Sequence, residues 1–421
     1  MFLRGELEAP PDKSISHRLL LIAPFVRGSY YIHNLLDSLD TRASINLISA
    51  LGIKCERKEN GLLVHSPGLT ALKPTAIPID CGNSGTTARI GMGVLSCFPF
   101  SFHLTGDASL SKRPMRRVIE PLSLMGCKFT GAEEHLPIKL EGGHNIGGKF
   151  SLTLPSAQVK SALMFAALQA KTETTIEILE DSRDHTERLF QALALPYRRS
   201  GKKIYLSPLE NSIAATEFSV PGDASSAAFF IVACLMLPGS EIKIKTLNIN
   251  PTRIGLLKIL QEMGLVFELD NERELGKEPV ADITIKHQEL NTLPAFSKEL
   301  IPLMIDEFPL LALLCATIPG QHRFNGLREL RVKECDRIAA ITLTLRGLGV
   351  NIEELEDGWN IEGSDKVFSS GNFSTFSDHR IAMLLKIAEL RANGPIKIDE
   401  DECISVSFPG FEKTLKTLVR N

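Results

Sequence analysis

KSISHRLLLIAPF, from Lys13 to Phe25, places two hydroxyls and two cations ahead of an apolar run, directly after Pro10, Pro11 and Asp12. The prolines favour an extended approach, and Asp12 or Ser14 can accept from the free amide N–H groups at the start of a helix. Those N–H groups carry the positive end of the helix dipole. With Lys13 and Arg18 beside them, a phosphate or carboxylate would meet backbone donors, hydroxyls and formal charge together. Standing alone, the stretch reads as well as a capped surface helix. It decides the fold because the chain repeats it.

Five further openings pass from a turn or cap into apolar residues: NSGTTARIGMGVL from Asn83, SAQVKSALMFAAL from Ser156, DASSAAFFIVACL from Asp223, IDEFPLLALLCA from Ile305 and SDHRIAMLLKIAEL from Ser377. They recur about every 70 residues, the mark of a repeat architecture. A second amphipathic segment follows each opening, and several end in an apolar-Gly phrase that suits a helix C-cap: ISALGIKC, LSLMGCKF, LQEMGLVFE and LRGLGVNIE. Helices as apolar as SALMFAAL and AAFFIVACL must be buried on all sides. Three units are therefore expected to gather around a shared bundle of helices with sheets outside, and two such triplets make two α/β domains. The predicted domains are 12–222, and 1–11 with 223–421, with a hinge near 11–13 and 221–224; the first ten residues return to the C-terminal half. Polar Asp270 to Pro279, which lengthens one interval, is expected to be an exposed loop.

At 421 residues, 43% hydrophobic and 23% charged, the chain is long enough for two full cores and has the composition of a soluble globular protein. No apolar run approaches the roughly 20 residues that span a bilayer, so no membrane partner is expected. The start, MFLRGELEAP, lacks the long apolar core of a secretory signal, which predicts a cytoplasmic protein. Eight cysteines occur singly, with no C-x-x-C pair, arguing against a zinc ribbon or a dithiol site. A net charge of −3 excludes the basic field of a nucleic-acid binder.

Against that mildly acidic background, Lys13, Arg18, Arg113, Lys333, Arg337 and Arg380 all lie near predicted helix starts. Arg183 stands at another, in SRDHTER, and the glycine-rich CGNSGT around Gly85 suits close approach to a phosphate. Ser156, Ala157 and Gln158 supply uncharged donors, while Asp306 and Glu307 precede Pro309, which suits a first helical turn, as does Pro114. Taken alone, Glu334 with Arg337, or Asp378 with Arg380, reads equally well as a simple surface ion pair worth less than about 1 kcal/mol. His17 and His379 read as hydrogen-bonding framework. Each cation opposed to an anion at about 4 Å is worth roughly 4 kcal/mol before desolvation at an effective dielectric near 20. Two unfilled cationic faces would repel, which predicts an open form that closes on polyanionic ligands.

PPDKSISHR, GNSGTTAR, GDASLSKRPM, SAQVKSA, SRDHTER, NPTR, IDEFP, RVKECDR and SDHRIAM resemble, in the same order, the motifs of the 5-enolpyruvylshikimate-3-phosphate synthases, and SRDHTER and NPTR point to the second bacterial class. The resemblance implies two inside-out α/β domains of three repeated units each, with buried parallel helices and outer sheets. It implies an enolpyruvyl transferase: phosphoenolpyruvate gives its enolpyruvyl group to the 5-hydroxyl of shikimate 3-phosphate, through a tetrahedral addition-elimination intermediate, in chorismate and aromatic amino acid biosynthesis. Lys13 would touch both substrates. Ser14, Arg18, Ser156, Ala157, Gln158, Arg183 and Lys333 would hold shikimate 3-phosphate, mainly in the N-terminal domain. Gly85, Arg113, Gln158, Arg337 and Arg380 would hold phosphoenolpyruvate, assigned mainly to the C-terminal domain with the catalytic acid and base. Asp306 corresponds to the base and Glu334 to the proton donor, with Lys13 as the other candidate donor. No metal or organic cofactor is expected, and a monomer is.

Two positions depart from what the family shows elsewhere. Val406, in ISVSFPGF, stands where the enteric class has a Lys. Gly85 stands where tolerant members of the second class carry Ala, which predicts that glyphosate inhibits. The nearest rival is UDP-N-acetylglucosamine 1-carboxyvinyltransferase, which would show K-N in place of Lys13-Ser14 and a Cys in the loop that reads DASLSKRP. An RNA 3′-phosphate cyclase-like protein would need a more basic face. A non-catalytic phosphosugar-binding module would not need both Asp306 and Glu334.

Overall fold

Leu163, Met164 and Phe165 are wholly buried, and so are Phe230, Val232 and Ala233. Helices with no polar face cannot lie on a surface, and these form the centres around which the sheets are laid. A computed structural model describes residues 1–131 and 134–420. They divide into two compact units: 11–220 with 275–278, and 1–10 with 221–274 and 279–421.

The first unit is built on α1 (Lys13–Leu21), α2 (Gly85–Leu95) and α3 (Ala157–Ala167). The first packs on the second and the second on the third. Their companions are Leu39–Ala50, Arg116–Leu124 and α4 (His185–Ala192). Three sheets complete the unit, centred on Val26–His33, on Ser101–Thr105 with Ile138–Glu141, and on Thr174–Glu177 with Lys203–Leu206. Alternation sets which face looks in: Phe102 and Leu104 are buried opposite Leu140 and Ile138, while Ser101 and His103 are exposed.

The second unit repeats the plan on α5 (Ala224–Met236), α6 (Phe308–Cys315) and α8 (His379–Ala388), which pack on one another. Between the last two lies α7 (Arg337–Gly347). The second unit's largest sheet runs Glu268–Leu275, Glu278–Lys286, Glu241–Asn248, Phe2–Glu8, Val419–Arg420. Phe2–Glu8 pairs in parallel with Glu241–Asn248, in a register that sets Arg4 opposite Glu241 and Glu8 opposite Lys245. The apolar-Gly phrases end their helices as the sequence predicts, with Gly52, Gly126, Gly264 and Gly349 at φ of 84°, 105°, 101° and 86°.

Two expectations are corrected. Asp270 to Pro279 is not a loop: it belongs to a hairpin of Glu268–Leu275 and Glu278–Lys286 joined by Gly276 and Lys277, at φ 59° and 69°. Positive φ at both central residues matches the twist of the flanking strands, and the turn buries Glu278 in the first unit. Pro114 lies just outside the helix it was expected to open, which begins at Arg116.

The α2–α3 contact depends on the absence of a side chain. A Cβ at Gly93 would lie 2.1 Å from the carbonyl oxygen of Ala162, on the backbone of the facing helix. Gly93→Ala is expected to destabilise the protein by about 1–3 kcal/mol, the ordinary cost of overpacking, read as a lowered urea midpoint; an unchanged midpoint would contradict this packing.

Candidate active site

In the first unit the residues singled out in the sequence gather at the starts of the inner helices. Asp12 caps α1, its carboxylate accepting from the Ile15 amide at 2.9 Å. One residue on, Lys13 donates to Asp40 Oδ2 at 2.8 Å and remains partly accessible. Arg18 is buried to 3% exposure and all three guanidinium nitrogens are engaged: Nε donates to Thr186 Oγ1 (2.7 Å), Nη1 to the Ser14 carbonyl (2.9 Å) and Nη2 to Ser161 Oγ (2.8 Å). Burial brings its pKa down to about 10, against the pull of Glu187 and Asp12. Arg183, half-buried two residues before α4, adds a like charge close enough to be felt at Arg18.

His17 is framework, as expected. Its Nδ1 meets Ser44 Oγ at 2.8 Å, Ser44 meets Thr87 Oγ1 at 2.8 Å, and Thr87 donates to Ser84, the cap of α2, at 2.9 Å. Burial, with Lys13 and Arg18 nearby, holds the imidazole well below its ordinary pKa, so at neutral pH it adds no charge.

Gly85 opens α2, and a methyl there would lie 2.8 Å from Arg89 Nη1 and 3.5 Å from Arg113 Nη1. Arg113, 7% exposed, donates to Asn83 Oδ1 (2.6 Å) and Ser109 Oγ (3.2 Å). Ser156 caps α3 through the Val159 amide, with Ala157 and Gln158 in the first turn. Gln158 accepts from Arg89 Nη1 at 2.9 Å and donates to Thr86 Oγ1 at 3.1 Å, so its amide is oriented.

The second unit holds the other group. Arg337, at the start of α7 and 1% exposed, is fastened to three carboxylates: Nε to Asp378 Oδ2 (2.8 Å), Nη2 to Glu334 Oε2 (2.6 Å) and Nη1 to Asp306 Oδ1 (3.2 Å). Burial alone would lower its pKa, but Asp378, Glu334 and Asp306 outweigh that and raise it. Lys333 Nζ reaches Asp306 Oδ1 at 3.3 Å, and Arg380 lies 4.0 Å from Asp306 Oδ2 and 3.7 Å from Glu307 Oε1. Asp306 is thus the carboxylate on which Lys333, Arg337 and Arg380 converge. Cys335 Sγ donates to Asp378 at 3.5 Å, and burial first, with the Asp378 charge second, pushes its thiol up, so it offers no thiolate.

The placements revise part of the sequence reading. Asp378 pairs with Arg337 across 41 residues rather than with Arg380, and neither that pair nor Glu334–Arg337 is a surface contact. Nor is the second unit's group a bare cationic face, since its cations already oppose Asp306, Glu307, Glu334 and Asp378. The expectation of like-charge repulsion in an unfilled site loses its basis there. Asp40, Arg89, Ser161 and Thr186 were not singled out: Asp40 lies outside the quoted motifs and serves Lys13 27 residues away, while Arg89, Ser161 and Thr186 sit inside GNSGTTAR, SAQVKSA and SRDHTER but act on partners 69 to 168 residues away. Among the described residues no group of three or more His, Cys, Asp or Glu is placed to hold a metal ion. Oriented carboxylates beside multiple cations suit acid-base chemistry on anionic substrates.

Residues 2–415 match the family model of EPSP synthase (3-phosphoshikimate 1-carboxyvinyltransferase). A protein of that name from Syntrophomonas wolfei is 42% identical over 418 residues, covering 99% of this chain and 97% of its own length. Another from Thermodesulfovibrio yellowstonii is 41% identical over 422 residues, covering 99% and 97%. An EPSP synthase structure from Acinetobacter baumannii superposes with a TM-score of 0.86 at 37% identity, covering 99% of this chain and 96% of that one.

Removing Arg337 takes the guanidinium partner from the wholly buried Asp378, so Arg337→Met is expected to cost about 3–5 kcal/mol, measured by denaturant unfolding. Asp378 is wholly buried; burial opposes its ionisation, yet Arg337 holds its pKa below the ordinary 3.8. A carboxyl lowered in the folded state adds stability that is complete above its unfolded pKa and lost as pH falls through the folded one. The stability difference between the protein and Asp378→Asn should therefore be widest near neutral pH and shrink below about pH 4, and a difference flat across that range would contradict the assignment.

Proposed function

Because the chain belongs to the EPSP synthase family, we infer that it transfers the enolpyruvyl group of phosphoenolpyruvate to the 5-hydroxyl of shikimate 3-phosphate and releases phosphate, in aromatic amino acid biosynthesis. The hydroxyl loses its proton as its oxygen bonds C2 of phosphoenolpyruvate, and C3 takes a proton to become a methyl group. The resulting tetrahedral intermediate then expels phosphate and loses a proton from that methyl, restoring the double bond. Both halves need one group to remove a proton and one to deliver it.

Asp306 carries the assignment: a carboxylate at which Lys333 and Arg337 arrive within 3.3 Å, with Arg380 close by. In this reading Asp306 takes the proton of the 5-hydroxyl. Glu334, fixed by Arg337 at 2.6 Å, delivers the proton to C3, with Lys13 as the other candidate. Arg337 and Arg380, with Gly85, Arg113 and Gln158, hold phosphoenolpyruvate and stabilise charge on the departing phosphate. Lys13, Ser14, Arg18, Ser156, Ala157, Gln158, Arg183 and Lys333 hold shikimate 3-phosphate. The Lys13–Asp40 pair means that a substrate phosphate shares or displaces a carboxylate already present. The division of labour assigns shikimate 3-phosphate mainly to the first unit and the carboxylate acid and base to the second, while phosphoenolpyruvate draws on Gly85, Arg113 and Gln158 of the first and on Arg337 and Arg380 of the second. Eight free cysteines support a reducing, cytoplasmic setting, and we read the working form as a monomer.

UDP-N-acetylglucosamine is not favoured as acceptor. Lys13 is followed by Ser14, no Cys occurs in DASLSKRP, and the relatives above carry the shikimate name.

Phosphate release from phosphoenolpyruvate should require shikimate 3-phosphate and be negligible with UDP-N-acetylglucosamine; the reverse preference would overturn the reading. Asp306→Asn and Glu334→Gln should each lower kcat by about a hundredfold or more. Full turnover by both Asp306→Asn and Lys13→Met would refute the site assignment. Glyphosate should inhibit in competition with phosphoenolpyruvate. Gly85→Ala, whose methyl crowds Arg89 and touches Arg113, should raise its inhibition constant about tenfold or more.

A further inference from the structure

The turn Leu275–Glu278 belongs to the first unit, although it lies far along the chain from the rest of it. Glu278 is 4% exposed, and its Oε1 meets Nδ1 of His185, 2% exposed, at 2.7 Å. A buried carboxylate and imidazole are costly to desolvate, so their meeting needs a reason beyond filling space. The other ring nitrogen, Nε2, has no hydrogen-bond partner among the described residues. The Glu278 contact therefore sets how the ring lies.

The same turn holds α4 at a second point. Arg188 Nη1 donates to the Lys277 carbonyl at 2.7 Å, with Arg188 Nε 3.8 Å from Glu278 Oε2. Lys277 keeps φ at 69°, a left-handed conformation that a residue with a side chain holds only where its surroundings demand it. Both contacts fall on the opening turns of α4.

Thr186 is the residue after His185. Its Oγ1 accepts from Arg18 Nε at 2.7 Å and lies 2.6 Å from Ser161 Oγ, which accepts from Arg18 Nη2. Arg183 lies two residues before His185. The turn, His185 and Arg18 also share the wall of one small cavity.

We propose that Glu278 is a positioning residue for shikimate 3-phosphate: through His185 it fixes the start of α4, and through Thr186 it fixes the guanidinium of Arg18. The inference rests on the substrate reading above, in which Arg18 and Arg183 hold that molecule. Glu278 acts by holding Thr186 where Arg18 needs an acceptor. The Glu278 charge also helps keep Arg18 protonated against the effect of burial.

The test uses steady-state kinetics on the full-length protein with each substrate varied in turn. Glu278→Ala should raise the KM for shikimate 3-phosphate about tenfold, while kcat and the KM for phosphoenolpyruvate stay within about threefold of the parent values. Glu278→Gln keeps an acceptor for Nδ1–H and should lie closer to the parent. Thr186→Val, which removes the Arg18 acceptor but not the turn, should give the same split. Combined with Glu278→Ala it should add less than the product of the two effects, because both act through one contact. An unchanged KM for shikimate 3-phosphate, equal rises in both KM values, or fully multiplicative effects would each overturn the proposal. Parent protein that turns over no shikimate 3-phosphate would sink the substrate reading and this inference together, whereas normal parent turnover with an unaltered variant sinks this inference alone.

Discussion

A guanidinium with 1% exposure cannot be hydrated, so its charge must be met inside the protein. Arg337 meets this constraint with Asp378, Glu334 and Asp306, and the second unit's chemistry follows from it. Each carboxylate arrives on a different segment: Asp378 as the cap of α8, Glu334 in the turn before α7, and Asp306 just ahead of α6. Burying one arginine thus sets the spacing of three backbone segments. Two of the three carboxylates are those to which the proton transfers are assigned. The third serves stability, accepting from the Arg380 amide at 2.8 Å and from Arg337.

The first unit solves a similar problem with neutral acceptors. Arg18 ends on a threonine hydroxyl, a serine hydroxyl and a carbonyl, so its positive charge is oriented without being cancelled at contact distance. The helix starts around it are treated alike: Asp12, Ser84 and Ser156 cap α1, α2 and α3, each accepting from an otherwise unmet amide. Such caps are worth about 1 kcal/mol each and leave neighbouring N–H groups pointing outward. The repeat therefore does two things with one motif. It ends the exposed part of an apolar helix and leaves donors where an anion can use them.

What was legible in the sequence was what local physics controls. SALMFAAL and AAFFIVACL can only be interior helices, and they are; cap residues, apolar-Gly endings and the units' two-helix plan follow from short-range pattern. The hairpin beyond Glu268 was not legible, because Glu268–Glu274 is exposed on both faces and shows no alternation, and its turn reads Gly-Lys rather than Asn-Gly. Pairings across long stretches were equally hidden. Asp378 sits two residues from Arg380, yet its side chain serves Arg337. Glu278 lies 93 residues from His185, and nothing in either segment announces the other.

The first unit's closing residues are 275–278, and Phe2–Glu8 waits for Glu241–Asn248 before it has a strand to pair with. On the ribosome the N-terminal strand emerges first and finds its neighbour only after more than half of the polypeptide has been made. The fragment 11–220 is likewise unfinished when its last residue leaves the exit tunnel. Closures of that span are entropically slow. Folding one residue after another is thereby excluded for this architecture, and a gene cut at residue 220 separates a half-molecule from the four amino acids that complete it.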